Sequence, residues 1–268
     1  MPYYKTPAVI LHSLDFAESD KLVTFFTRDF GKLRGIAKGA KRSRKRFGSG
    51  LEPLTCSAVC FFDKEKTALV RLDHCDIVHS YPHIHSDMLR LGYAGYIAEL
   101  ISVTAAERER SGELFVLLSS FLELLNQPSF REEFVHVFEL RLLALIGYQP
   151  ELRSCVMCRQ EAKEHHRHWF CQSRGGLICS NCLQDSLDHA HLSWGTIRTL
   201  QRAQTIELAK IKRLFFSSQA REESRRILPP FIEYRIERPL KSLRLLKQLE
   251  GKGEPSVNRL AADKTGAP

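Results

Sequence analysis

The chain has 268 residues, 43% of them hydrophobic, and a formal net charge of +9. That length allows one large or two ordinary domains, burying roughly three quarters of the unfolded surface, and its longest apolar runs, such as LLALI at 142–146, fall far short of the roughly 20 residues of a membrane span. The surplus charge points to a polyanionic partner and away from an acidic, solvating chain. The first stretch, MPYYKTPAVILHSLDF, is broken by His12, Ser13 and Asp15 and does not read as a signal peptide, so a cytoplasmic, membrane-free location is expected.

From residue 8 to about 79 the segments are short and β-rich: AVILHSLDF, KLVTFFTR, KLRGIAKG, LTCSAVCFFD and TALVRLDHCDIV. Turn signals at 18–20, 29–31, 48–50 and 63–66 separate them and no helical pattern intervenes, which predicts five antiparallel strands in a small barrel. Among small barrels the OB-fold is the one most used to hold nucleic acid. Cys56, Cys60 and Cys75 fall on these strands and read as buried thiols.

After the third segment comes AKGAKRSRKRFGSG. Residues 31–50 carry Lys32, Arg34, Lys38, Lys41, Arg42, Arg44, Lys45 and Arg46 and no acidic residue, so nearly all the excess charge is focused in one place. Such a stretch reads as a clamp for a phosphate backbone, independent of base sequence because cations on a flexible loop cannot present a fixed pattern to base edges. Phe47, flanked by charge and glycine, is the best stacking candidate, while Phe16 and Phe30 read as packing.

Beyond Pro82 the period becomes helical. Leu89, Tyr93, Tyr96, Ile97, Leu100 and Ile101 recur at three and four residues, as do Phe134, Val137, Phe138, Leu142, Leu145 and Ile146. Ser129 and Glu132 form a predicted capping box for the second of these helices, and Gly147 with Pro150 its stop. SWGTIRTLQRAQ and the stretch 219–249 again predict helix, and the final segment from 251 is poor in large apolar residues and expected to be disordered.

Two CxxC pairs, Cys155/Cys158 and Cys179/Cys182, stand 20 residues apart inside the helical part. In a reducing compartment that spacing favours one metal over disulfides. Two tight turns aim four thiolates at one ion and close a tetrahedral shell, the pattern of one structural Zn2+. Gly175 and Gly176 suit the return of the hairpin between the pairs. Cys171, His165, His166 and His168 lie in the same insert, with a lesser claim on the metal. A catalytic zinc would need an open position and a general base, and no HExxH or HxE before PCxxC occurs. Asp73, His74, Asp76 and His79 come nearest to an enzyme site without forming one, so a non-enzyme is expected. The reading is therefore α+β: an OB-fold barrel at 1–80, a helical domain at 81–250 with an inserted zinc finger at 153–184, and a tail at 251–268. A zinc-ribbon, OB-fold RNA-binding or transcription factor would share these features.

Taken together, the five-strand pattern leading into RGIAKGAKRSRKRFGSGLEPLT, the GYQPELRSCVMC junction, the GGLICSNC second pair and the late RPLKSLRLL resemble the bacterial recombination mediators of the RecO family, over about residues 5–249. The resemblance implies DNA repair: binding single- and double-stranded DNA, annealing complementary strands, and acting with RecR and RecF to place RecA on DNA coated by single-strand DNA-binding protein. It also implies capture of that protein's acidic, apolar carboxyl-terminal tail, with the helical domain as host, and association with the nucleoid. Some members of the family lack the cysteines, which suits a zinc that braces structure.

Overall fold

The computed structural model describes residues 2–64, 67–184 and 188–251. The tail predicted to be disordered lies outside these residues, except that Gly251 ends the last helix, and so does part of the turn at 63–66.

Five strands, β1 (Tyr3–Phe16), β2 (Asp20–Thr27), β3 (Gly31–Ala37), β4 (Cys56–Phe62) and β5 (Val70–His79), close a barrel in the order β1-β2-β3-β5-β4. This is the OB-fold arrangement expected from the five β-rich segments. One pairing departs from the antiparallel expectation: β3 and β5 run parallel, Gly35 facing Val70 and Ala37 facing Leu72. A parallel pair needs a long crossover, and here the segment 38–55 together with β4 supplies it. Sequence patterning identifies strands but not which pair closes the ring.

Period-two alternation sends Ala8 and Ile10 of β1 into the barrel with Val23, Phe25, Leu33, Val59 and Phe61. Val9 and Leu11, together with Phe26 of β2, point the other way, into a second core built mainly by helices. The helices are α1 (Pro82–Ser86), α2 (Met88–Thr104), α3 (Gly112–Asn126), α4 (Phe134–Leu145), α5 (Trp194–Thr205), α6 (Ser218–Ile236) and α7 (Lys241–Gly251). Asp87, Ser111, Ser193 and Ser217 cap α2, α3, α5 and α6 through side-chain oxygens. No helix among the described residues is long and apolar enough to cross a membrane.

Two local expectations change. The capping box of Ser129 and Glu132 does not form: α4 begins later, with Glu133 at its N-cap and no side-chain cap. Glu132 is engaged elsewhere, accepting from the Tyr93 hydroxyl at 3.1 Å and pairing with Arg225 at 3.3 Å. The predicted stop does hold. Gly147 has φ +82°, its N–H donates to Ala144 O and that of Tyr148 to Leu143 O at 2.7 Å, the paired bonds of a Schellman ending. Residues 219–249 are two helices, because Glu237 turns left-handed at φ 51° and ends α6.

Inside the helical core sits a satisfied polar cluster. Tyr96 Oη donates to Glu139 Oε1 at 2.7 Å, and His136 Nδ1 meets Glu139 Oε2 at 2.7 Å. All three residues are buried, so removing the carboxylate strands two polar groups at roughly 1–3 kcal/mol each. Glu139→Ala is expected to lower unfolding stability by roughly 2–5 kcal/mol, and Glu139→Gln by about half of that because the amide retains one acceptor; equal urea midpoints for parent and Glu139→Ala would show the cluster to be dispensable.

Candidate nucleic-acid interface and metal centre

The basic segment is folded onto the barrel. Gly39 N–H donates to Asp20 Oδ1 at 2.8 Å, Lys41 N–H to Ser19 O at 3.0 Å, and Cys75 N–H to the Arg46 carbonyl at 2.9 Å. Phe47 and Leu51, each 2% exposed, belong to the barrel core. The stacking role expected of Phe47 is therefore closed: the interior of a small barrel must be filled by side chains, and this ring helps to fill it. Phe30 packs as expected, at 4.9 Å from Tyr4 and 5.5 Å from Phe61.

The eight cations separate into three kinds. Lys32 and Arg46 hold structure. Lys32 Nζ donates to Ser102 O of α2 at 2.7 Å, and burial lowers its pKa; Arg46 bonds to the Lys38 carbonyl and to Ser43 Oγ and lies 4.8 Å from the Phe47 ring. Lys41 and Arg42 face acids of the β1–β2 hairpin, Asp15 at 3.0 Å and Glu18 at 3.9 Å. Arg34, Lys38, Arg44 and Lys45 are exposed and, among the described residues, have no ion-pair partner. The Lys41 ammonium holds the Asp15 carboxyl below the usual range, and the Gly39 N–H does the same for Asp20. Counting charge within residues 31–50 misses these acids, which the hairpin carries in from residues 15–20.

The β1–β2 hairpin that carries these acids also carries an aromatic residue expected to pack. Phe16 is 49% exposed at the end of β1, paired with Asp20. Leu14, two residues earlier on the strand, is also exposed. A shift of register between Ile10 and His12 precedes both. The hairpin thus extends past the barrel core, which is why these side chains lack cover; only the tertiary length of the hairpin distinguishes them from core residues.

The second centre is the insert between α4 and α5. Three strands, β6 (His168–Cys171), β7 (Gly176–Cys179) and β8 (His189–Leu192), form a sheet in the order β7-β6-β8, so the insert continues past residue 184. Gly175, at φ +72°, makes the turn between β6 and β7. The Sγ atoms of Cys155, Cys158, Cys179 and Cys182 all lie within 4.8 Å of one another, and Cys158 Sγ is 3.7 Å from Cys179 Sγ. Four sulfurs at about 2.3 Å from one zinc would be about 3.8 Å apart, so the spacing fits the ion. Burial opposes ionisation of Cys155, but N–H groups of Cys158, Cys179 and Met157 outweigh it and bring its pKa down to about 6.

Neighbouring candidates stand outside this group. Cys171 bonds to Ser173 Oγ at 3.2 Å, His168 Nε2 meets Lys163 O at 2.9 Å, and His165 and His166 are exposed. Cys56, Cys60 and Cys75 are buried thiols as expected, and burial pushes Cys75 up to about 12. His74 pairs with Asp76 at 2.7 Å on exposed strand surface, whereas His79 stacks on Tyr81, so these groups do not converge on one site.

The insert is bound firmly to its helices. Gln201 and Gln204 of α5 donate to Leu152 O at 2.6 Å and Pro150 O at 2.8 Å, Arg226 of α6 donates to His191 O at 2.6 Å, and Phe170 meets Phe231 edge-on at 5.2 Å.

Comparison with known proteins agrees with both halves of this architecture. Residues 1–81 match the family described as Recombination protein O N terminal, and residues 85–244 match Recombination protein O C terminal. The chain is 38% identical over 252 residues to the DNA repair protein RecO of Syntrophus aciditrophicus, covering 93% of this chain and 97% of that one. It is 36% identical to that of Geobacter metallireducens, with 92% and 98% covered, and 30% identical to that of Pelotomaculum thermopropionicum, with 98% and 100% covered. A barrel followed by a helical body with a four-cysteine insert, matched end to end in this way, belongs to the RecO family of DNA repair proteins.

Proposed function

We propose that the chain is a DNA-binding recombination mediator that grips phosphate backbones with the barrel's basic rim. The observation that carries this reading is the set of four exposed cations, Arg34, Lys38, Arg44 and Lys45, that form no ion pair among the described residues, together with the exposed Phe16 ring of the β1–β2 hairpin. Cations set the protein on the backbone of single or double strands without reading bases, while an exposed ring adds stacking that only unpaired bases can accept. Annealing then needs no catalytic group: neutralising two backbones lowers their repulsion and concentrates the strands. Membership in the family supports the wider role, in which the chain works with RecR and RecF to load RecA onto DNA coated by single-strand DNA-binding protein.

The four cysteines hold, in this reading, one Zn2+ with no open position, and the ion braces the insert against α5 and α6. The closed sulfur shell supports a structural role, since a catalytic zinc keeps one site for water.

With four phosphates neutralised, log K for a single strand should fall against log salt with a slope of roughly −3. Charge reversal at Arg34, Arg44 and Lys45 should flatten that slope and weaken binding to all sequences alike, and Phe16→Ala should cost roughly tenfold on single strands and little on duplexes. Fluorescence anisotropy across a salt series reads both; an unchanged slope in the triple variant would exclude this rim, and a preference for RNA over DNA of the same sequence would favour an RNA-binding factor.

For the metal, the expected result is one zinc per chain in protein purified without added metal. Cys155→Ser should lose it and lower the thermal midpoint, because such sites contribute on the order of 10 kcal/mol to local folding, while the salt slope of binding at the barrel rim stays at the parent value. Elemental analysis that finds no zinc, with the four thiols paired as disulfides, would refute the site.

A further inference from the structure

Away from the barrel, a cleft of about 1050 Å3 opens between the insert, α5 and the segment that follows α5. None of its lining residues comes from the barrel. Trp194, Arg198 and Arg202 stand at four-residue spacing on α5 and so share one helix face. Arg153 and Lys163 of the insert and Arg213 also line it. These five cations are exposed and, among the described residues, form no ion pair; Arg198 bonds only to the neutral Gln201, at 3.1 Å. Glu161 and Glu164 are the acidic members of the lining, so the cleft is net basic.

Its aromatic content is as informative. Phe215 is 72% exposed although Leu214 and Phe216 on either side are buried. Arg131 fixes this segment by bonding to the carbonyls of Lys212 and Leu214, so the ring is held out beside the cations on an anchored backbone. Trp194, partly exposed, has the Arg198 guanidinium 5.9 Å from its ring. The aliphatic lining residues, Ala162 and Leu214, are both buried, so the two rings are the apolar side chains that the cleft presents. Rings and guanidinium planes among unpaired cations are what a single nucleic-acid strand uses, through stacking and phosphate contact.

We propose that this cleft is a second single-strand binding site, so that one chain holds two strands, one on the barrel rim and one here. The inference rests on the reading of the chain as a DNA-binding protein. It makes the annealing partner of a rim-bound strand a strand carried by the same molecule.

The test uses the full chain and a single strand carrying 5-iodouracil, cross-linked by light and mapped by mass spectrometry, together with the number of strands bound per chain. Adducts at Phe215 or Trp194 and two strands per chain are expected. Arg202→Glu with Arg213→Glu should reduce the count to one, remove the cleft adduct and flatten the salt slope of the weaker site by about 1.4, leaving the rim site intact; Phe215→Ala should weaken the cleft roughly tenfold. All three positions are exposed, and an unchanged thermal midpoint verifies the fold. Rim binding in the parent without a cleft adduct would overturn the second site alone, whereas failure of the parent to bind any strand would overturn the DNA reading as well. A cleft that takes an acidic peptide and no DNA would also overturn the proposal.

Discussion

The double burial of β1 is the constraint on which the rest of the structure depends. Ala8 and Ile10 complete the barrel interior, while Val9 and Leu11 complete the helical core, each large side chain contributing roughly 1.5–3 kcal/mol by leaving water. A barrel cut from its helices would expose Val9, Leu11 and Phe26 along one face. The two halves are therefore mechanically one body near β1, and Lys32, bonded to the end of α2, reinforces that joint with a charge that would otherwise be free for a ligand.

The same economy explains the basic segment. A closed five-stranded barrel with one parallel pair needs a long crossover, and that crossover must fill the barrel as well as span it. Phe47 and Leu51 do the filling, Arg46 ties the loop to itself, and the acids of the β1–β2 hairpin hold its first half. What remains pointing outward is a smaller set of charges on a fixed frame. Fixed charges lose less conformational entropy on meeting a polyanion than charges on a loose loop would.

The insert repeats this logic at a smaller scale. The insert buries only a small cluster of its own, Cys155, Cys171, Ile178 and Cys179, so it also leans on α5 and α6 through backbone carbonyls that accept from Gln201, Gln204, Arg226 and Arg235, and four thiols close its free end. Its placement against α5 creates a cleft that neither element forms alone.

Local chemistry in the sequence was enough to determine the five strand segments, the switch to helical period after Pro82, the Gly147 stop and the four-cysteine cluster, because each follows from residues close in the chain: alternation, spacing of three and four, a glycine at positive φ, two tight CxxC turns. Tertiary structure alone decided which strands close the barrel, that Phe47 turns inward while Phe16 stays out, and that Glu132 serves Tyr93 and Arg225 in place of a helix cap. It alone decided which cations remain unpaired, because the acids that neutralise Lys41 and Arg42 and the carbonyl that engages Lys32 come from other parts of the chain. A charge count along the sequence is one-dimensional, whereas pairing depends on distances that only the folded chain sets.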